Sequence, residues 1–345
     1  MTEILVLGDG NFSFSKVFYI RHKADIKNLI ATVFDSEDAL LKREPSSKEF
    51  ISYLKNEKGV LIMFNVDATR LEYHPELRQK QFDRIIFNFP HTGGKTNLRK
   101  CRSLLKAIFL STSQRLKADG LLQIALTEGQ SGISEQCLIK PSSSKEVNLT
   151  NSEGLLVLPP HKKDSWQAVY IAGCAGLLLE SCVSFDSAAY ADYTPTGMRS
   201  AARGFRTENS QLLTFKRAPQ LSETVGNDAV LLEREMEITG RIHPFRPYFV
   251  HDLSAWTVPS LTSLIGELEI HVKKLSKGLV KSVKHLPELD YTCPMTGKFS
   301  LLLRFIWQSW NYAVTKATIS KLQLKLRSDL KNLFNDVYKI DFELR

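Results

Sequence analysis

Cysteine is scarce and scattered in this chain: five among 345 residues, at Cys101, Cys137, Cys174, Cys182 and Cys293. The number is odd and no two stand in a CxxC pair, which argues against a disulfide framework and a structural zinc, so no metal site is expected. Long apolar runs are lacking as well. No stretch reaches the roughly 20 apolar residues that span a bilayer, so no membrane partner is expected. The first ten residues hold Glu3 and Asp9 but neither Lys nor Arg, and the apolar run 4–7 is too short for a signal-peptide core. These absences point to a soluble, intracellular protein, cytoplasmic or nuclear and nucleolar, without a transit or signal peptide.

What is present is apolar residue and positive charge. A hydrophobic content of 43% over 345 residues gives each of two domains its own core. The formal charge is +9, and it is unevenly placed: residues 241–345 carry 16 Lys and Arg against 9 Asp and Glu, or +7, leaving +2 for residues 1–240. A basic C-terminal third beside a nearly neutral front suggests a grip on phosphates behind a domain that does chemistry, although a solvated lysine face on a helix would read the same way.

Residues 3–135 alternate short apolar runs (4–7, 29–34, 60–65, 84–89 and 121–127) with stretches long enough for crossover helices. That is the pattern of a doubly wound α/β sheet. Between the last two runs, Leu98, Cys101, Leu105, Ile108 and Phe109 share one helical face, and Gly120 reads as the glycine that stops the helix. Residues 136–160 read as a polar loop, "SWQAVYIAGCAGLLLES" as an apolar helix, and "CVSFDSAAYADYTPTGMRS" as a strand followed by an aromatic loop. The first domain is expected to span 1–215, and 216–242 to form a linker in which "LLEREMEITG" is a short helix. Residues 243–345 then run strand, helix, strand, strand, helix, strand, the order of a ferredoxin-like α+β domain. In its strand "KFSLLLRFIWQS", Phe299, Leu301, Leu303, Phe305 and Trp307 share one face, and Ser300, Arg304 and Gln308 the other. In its last helix, Ile319, Leu322, Leu326, Leu330 and Leu333 face inward and Lys321, Lys325 and Lys331 outward; "VYKIDFEL" is expected to close the chain as a strand.

Ligands of open α/β sheets bind beyond the carboxyl ends of the strands, where the strand order reverses. The first run ends in "LGDGNFSFS", where Gly8 and Gly10 allow a tight turn and close approach to a ligand. Ser13 stands where a dinucleotide fingerprint has its third glycine, and Asp9 sits inside the turn, so a diphosphate fits poorly and a cationic sulfonium or amino acid better. An ordinary strand-to-helix turn is the alternative. Asp35, in "ATVFDSEDAL", stands where such sites hold a ribose, and Asp67, in "FNVDATRL", could accept from an adenine amine; each could instead be a helix N-cap. The fourth run ends in "FNFPHTGGKTN", bringing an amide (Asn88), a ring (Phe89), Pro90 and an imidazole (His91) to one rim, followed by a basic loop with Lys95. An amide plus a ring suits a flat base.

In this order, "LVLGDGNFSFS", "ATVFDS", "VDAT", "FDRIIFNFPHTGG" and "ALTEGQSG" resemble the motifs of the large-subunit ribosomal RNA uridine-N3 methyltransferase family, over roughly residues 3–200. "YADYTPTGMRS" corresponds loosely to that family's aromatic, arginine-bearing loop. The C-terminal segment "RPYFVHDLSAWT…DYTCPMTGKFSLLLRFIWQSWNYAVTKATI" resembles the ferredoxin-fold anticodon-binding domain at the end of phenylalanyl-tRNA synthetases. The first resemblance implies a Rossmann-like methyltransferase sheet and S-adenosylmethionine as cofactor, held by Gly8, Asp9, Gly10, Asn11, Phe12, Ser13, Asp35, Asp67 and Asn88. The catalytic rim would be Asn88, Phe89, Pro90 and His91, with Asn88 on the base edge beside N3, Phe89 stacked, and His91 acting as base, polarising a carbonyl, or touching phosphate. The front points to rRNA and the tail to tRNA, with Lys95, Lys298, Arg304, Lys321 and Lys325 as candidate RNA contacts and Trp307 or Trp310 as a stacking surface, Trp307 being on the core face. A scaffold that has lost catalysis but still binds RNA is the second reading. The missing third glycine disfavours an oxidoreductase, and the lack of an ATP-binding segment disfavours an accessory synthetase subunit.

Overall fold

The computed structural model describes residues 1–93, 97–133, 163–186, 188–190, 192–196, 207–219, 221, 243 and 245–345. These fall into two compact units, one reaching Ala218 and the other running from Pro219 to the end. The polar loop expected over 136–160, the short helix in "LLEREMEITG" and Lys95 lie outside the described residues.

The first unit is a seven-stranded sheet: β1 (Thr2–Leu7), β2 (Ile26–Thr32), β3 (Val60–Met63), β4 (Phe82–Asn88), β5 (Leu116–Leu126), β6 (Leu177–Ser184) and β7 (Gln211–Arg217), in the order β3-β2-β1-β4-β5-β7-β6. β1 to β5 are mutually parallel, and β7 runs antiparallel between β5 and β6. Ile4, Leu5, Val6 and Leu7 are all buried, as continuous apolar runs in a sheet covered on both faces must be. Helices α1 (Ser13–His22), α2 (Glu37–Arg43), α3 (Ser47–Lys55), α4 (Leu98–Ser113) and α5 (Ala168–Cys174) make the connections. This is the Rossmann-like sheet implied by the sequence motifs. The chain moves outward from β1 through β2 and β3 and returns on the other side of β1 as β4, so the order reverses between β1 and β4. A crevice at their carboxyl ends follows from that topology.

Three local readings are corrected. Gly120 does not stop the helix: α4 ends at Ser113, and Gly120 lies inside β5, where an added Cβ would sit 2.8 Å from the Phe82 carbonyl oxygen. The apolar stretch after 165 is not one helix. Gly176, with φ +69°, divides it into α5 and β6, because a left-handed residue cannot continue a right-handed helix. Lys216 and Arg217, assigned to the linker, are the last residues of β7, and Pro219 and Leu221 pair with Ala313 in the second unit.

The second unit comprises β8 (Tyr248–Thr257), a 3-10 turn leading into α6 (Ile265–Leu275), β9 (Val280–His285), β10 (Tyr291–Thr292), β11 (Phe299–Gln308), α7 (Lys316–Asn332) and β12 (Glu343–Leu344). β11 and β8 are central, β12 flanks β8, and β9 and β10 flank β11 as one strand interrupted at 287–289, all antiparallel. That is the expected ferredoxin-like order. Leu301, Leu303, Phe305 and Trp307 are buried against Ile319, Leu326 and Leu330 of α7. The closing strand is shorter than expected: residues 333–338 extend α7 as a π-helical turn, and only Glu343 and Leu344 pair with β8.

Phe305 is fully buried at the centre of β11. Phe305→Ala should lower the stability of this unit by about 3–5 kcal/mol in denaturant titration. A loss below about 1 kcal/mol would contradict this core assignment.

Candidate active site

The glycine turn follows β1 directly. Gly8 has φ +61°, and an added Cβ would lie 2.5 Å from the Phe87 ring, so both backbone conformation and space require glycine there. Leu7 is paired with Phe87 across β1 and β4, which brings the turn and Asn88 out of the sheet at the same level.

Helix α1 begins without a side-chain cap of its own, its N-cap position being Phe12 at φ 67°. The cap comes from Asp9, whose Oδ2 accepts from the Ser15 backbone N–H at 2.7 Å. Burial pushes the Asp9 carboxyl above its ordinary range, against the pull of hydrogen bonds from Ser15, Phe12 and Phe14. Asp9, only 6% exposed, therefore spends its carboxylate on the helix rather than presenting it to a ligand.

The remaining polar groups of the turn hold a neighbouring strap. Asn11 Nδ2 donates to the Thr194 carbonyl at 3.0 Å and to Thr194 Oγ1 at 2.9 Å, while its Oδ1 accepts from the Ser13 amide. The Thr194 amide in turn donates to Ser13 Oγ at 3.1 Å. A Cβ on Gly10 would meet Thr196 Oγ1 at 2.0 Å, so the strap lies against the turn itself. Phe12 is buried, edge-on to Phe64. The strap was legible only as an aromatic loop, since its hydrogen bonds span more than 180 residues of sequence.

At the end of β2, Asp35 forms an ion pair with Arg43, whose Nη2 also donates to the Gly10 carbonyl at 3.1 Å. The N-cap of α2 is Ser36, accepting from Ala39 N–H, which removes the capping alternative for Asp35. Asp67 caps no helix either: its Oδ1 accepts from the Thr69 amide at 2.9 Å and from the Thr69 hydroxyl at 2.6 Å, closing a local turn, and the 3-10 turn that follows has Arg70 at its N-cap with no side-chain cap. Sequence reasoning missed Arg43, because a basic residue in a helix's last turn looks like an ordinary dipole partner.

On the other side of the crevice, the Asn88 side-chain oxygen and nitrogen are both buried and neither makes a hydrogen bond. Unmade hydrogen bonds of this kind cost about 1–3 kcal/mol each, so the amide is an unfilled donor and acceptor. Phe89 follows in a left-handed conformation (φ 52°), its ring edge-on to Phe185 at 5.3 Å. Phe185 continues to Tyr190, and Tyr190 to Phe14 on α1, so an aromatic chain joins the rim to the helix after the glycine turn. Pro90 is buried. His91 is exposed, and its Nδ1 accepts from the Gly93 amide at 2.7 Å, which leaves the proton of the neutral ring on Nε2.

In the second unit, two candidate RNA contacts are engaged. Lys298 pairs with Glu343 at 2.8 Å, and Arg304 makes a two-pronged bond to Asp252 at 2.8 Å. Lys321 and Lys325 are exposed on α7. Trp307 is core, donating to Gln323, and Trp310 donates to Gln308. Among the described residues no helix is long and apolar enough to cross a membrane, and no three His, Cys, Asp or Glu side chains cluster to hold a metal.

Residues 5–197 match the BMT5-like family, whose description is rRNA (uridine-N3-)-methyltransferase BTM5-like. The chain is 31% identical over 216 residues to human ferredoxin-fold anticodon-binding domain-containing protein 1, an alignment covering 63% of this chain and 31% of the relative. It thus spans about a third of that relative's length. It is 24% identical over 209 residues to the 25S rRNA (uridine(2634)-N(3))-methyltransferase of Saccharomyces cerevisiae, covering 53% of this chain and 62% of that one. Among solved structures, a TehB-like SAM-dependent methyltransferase from Corynebacterium glutamicum is similar at 13% identity and a TM-score of 0.32, over 63% of this chain and 80% of that chain.

The raised Asp9 carboxyl predicts a pH dependence. Its contribution to stability is complete below the ordinary value of about 4 and is lost as pH rises through the raised value. Asp9→Asn keeps an oxygen for Ser15 and cannot ionise, so its melting temperature relative to wild type should climb as pH rises above the ordinary carboxylate value of about 4. A difference that stays flat would show that Asp9 does not titrate above its ordinary range.

Proposed function

Because this chain belongs to the BMT5-like rRNA (uridine-N3-)-methyltransferase family, we propose that it is an S-adenosylmethionine-dependent RNA methyltransferase acting on a uridine N3 in rRNA or tRNA. The observation that carries this reading is the unpaired, buried Asn88 amide at the reversal point of the sheet. A uridine edge offers N3–H between two carbonyls, and the amide can donate to a carbonyl beside N3 while N3 itself stays open to the methyl donor. Both amide atoms are covered, so a base reaches them only when the rim moves, and the left-handed Phe89 is a strained point within that rim.

S-adenosylmethionine would supply an electrophilic methyl group on a sulfonium. The glycine turn, close-packed because neither Gly8 nor Gly10 has room for a Cβ, and Asp35 at the end of β2 are the residues suited to hold it. The protein's work in an in-line displacement is to hold donor and acceptor in line and exclude water. Phe89 would stack on the base. With Nδ1 committed to Gly93, His91 Nε2–H is a donor, which favours polarising a uridine carbonyl over acting as the base, and so eases transfer of the N3 proton to water before N3 takes the methyl group. Lys95, Lys298, Arg304, Lys321 and Lys325 would contribute to holding RNA, Lys298 and Arg304 on leaving their ion pairs with Glu343 and Asp252.

Transfer of labelled methyl groups from S-adenosylmethionine into rRNA and tRNA tests the proposal. Asn88→Ala should reduce the rate by about 100-fold or more, the scale of losing one well-placed polar group. His91→Gln, which can restore a donor but not a base, should recover part of the activity lost in His91→Ala. No incorporation by wild type into either RNA would remove the enzymatic reading and leave an RNA-binding scaffold, and full activity in Asn88→Ala would remove the assigned role of the amide.

The RNA grip has its own expectation. If the exposed lysines neutralise phosphates, affinity for RNA should fall steeply as salt rises from about 50 to 200 mM. A flat dependence would remove the C-terminal unit from RNA binding.

A further inference from the structure

Arg43 closes α2 and reaches back to the crevice, where its guanidinium bridges two strand ends. One nitrogen pairs with Asp35 Oδ2 and another donates to the Gly10 carbonyl at 3.1 Å, tying the end of β2 to the glycine turn after β1. The third nitrogen, Nε, is buried and makes no hydrogen bond. An arginine kept only to staple the fold gains nothing from a buried, unfilled donor, whereas one that shapes a binding crevice can carry it.

The bridge fixes a carboxylate that is otherwise at the end of a short, partly exposed connection; the Asp35 and Arg43 side chains are 26% and 29% exposed. Ser36 takes the capping duty at α2, so Asp35 is not required there. A planar fork can hold a carboxylate and a carbonyl together in fixed geometry, and a lysine, as a single point charge on a flexible stem, cannot.

We propose that Arg43 is a positioning and specificity-determining residue for a ribonucleoside cofactor: by holding Asp35 Oδ2 and the Gly10 carbonyl together, it presents the remaining Asp35 oxygen to the ribose hydroxyls. This rests on the reading of the crevice as a nucleoside-cofactor site. It adds a source of discrimination between ribose and 2′-deoxyribose that lies in a residue of α2 rather than in the turn or the carboxylate alone.

The test is a calorimetric comparison of S-adenosylhomocysteine with its 2′-deoxyribose analogue, on the full chain, in wild type, Arg43→Gln, Arg43→Lys and Asp35→Asn. Wild type should bind the ribose ligand about tenfold or more tightly than the deoxy analogue, as expected for a lost hydrogen bond to a charged group. Arg43→Gln should weaken the ribose ligand by a similar factor and bring the ratio between ligands close to one, as should Asp35→Asn, with Arg43→Lys in between. An Arg43→Gln protein that binds like wild type, or that loses both ligands equally and keeps the ratio, overturns the assignment, the second result being that of a merely structural arginine. Should Arg43→Gln fail to fold, as judged by thermal unfolding, Arg43→Lys and Asp35→Asn give the same comparison. Wild type binding neither ligand would remove the nucleoside reading together with this inference; wild type binding both equally would remove only the role of Arg43.

Discussion

The hydrogen bond from the Ser15 amide to the buried Asp9 carboxylate sets the direction in which the chain leaves β1. With Phe12 in a left-handed conformation and no cap at that position, the first turn of α1 would have unpaired amides without it. The carboxylate supplies the cap from inside the preceding turn, which folds the turn tightly over the strand end. That tightness in turn demands glycine at positions 8 and 10, against the Phe87 ring and Thr196. An acid inside a glycine turn first suggests charge selection of a ligand; its geometry makes it a folding element that shapes the ligand's floor.

From this turn the crevice is tied together on both sides by side chains that the sequence scatters widely. Arg43 links it to Asp35. Asn11 and Ser13 link it to Thr194, and the rings of Phe14, Tyr190 and Phe185 lead on to Phe89. Within this network Arg43 Nε is one buried donor without a partner, and the Asn88 amide lacks one at both its oxygen and its nitrogen. The contrast gives the amide its significance, because native structures rarely leave buried polar groups unmatched except where function uses them.

Much of the architecture was legible in sequence, for physical reasons that differ by element. β1 to β5 announced themselves as apolar runs because a parallel sheet covered on both faces leaves no polar side. β11 and α7 were legible by period, two and 3.6, because each has one buried face. β7 was not, since it lies between two strands and buries Leu213, Thr214 and Phe215 in succession within only seven residues, which is no period at all. The division of α5 from β6 at Gly176 was hidden by uniform apolarity on both sides, and Gly120 misled because a glycine after a helix usually stops it, whereas here its backbone must pass close to Phe82. For the site, residue types at strand ends were readable, but not which way each side chain is spent. Asp9 caps α1, Asp67 closes a local turn, Asn11 and Ser13 hold the strap, Lys298 and Arg304 sit in ion pairs, and Arg43 lies on a helix that carries no motif. The contacts of Asn11, Lys298 and Arg304 are long-range, and those of Asp9 and Asp67 are set by the local path of the backbone.

On the proposed function, the crevice between β1 and β4 is a working cofactor site. It is tested most directly by calorimetric titration of the chain with S-adenosylmethionine. Saturable binding of one molecule per chain is expected. An absence of binding, in protein shown by thermal unfolding to be folded, would contradict it.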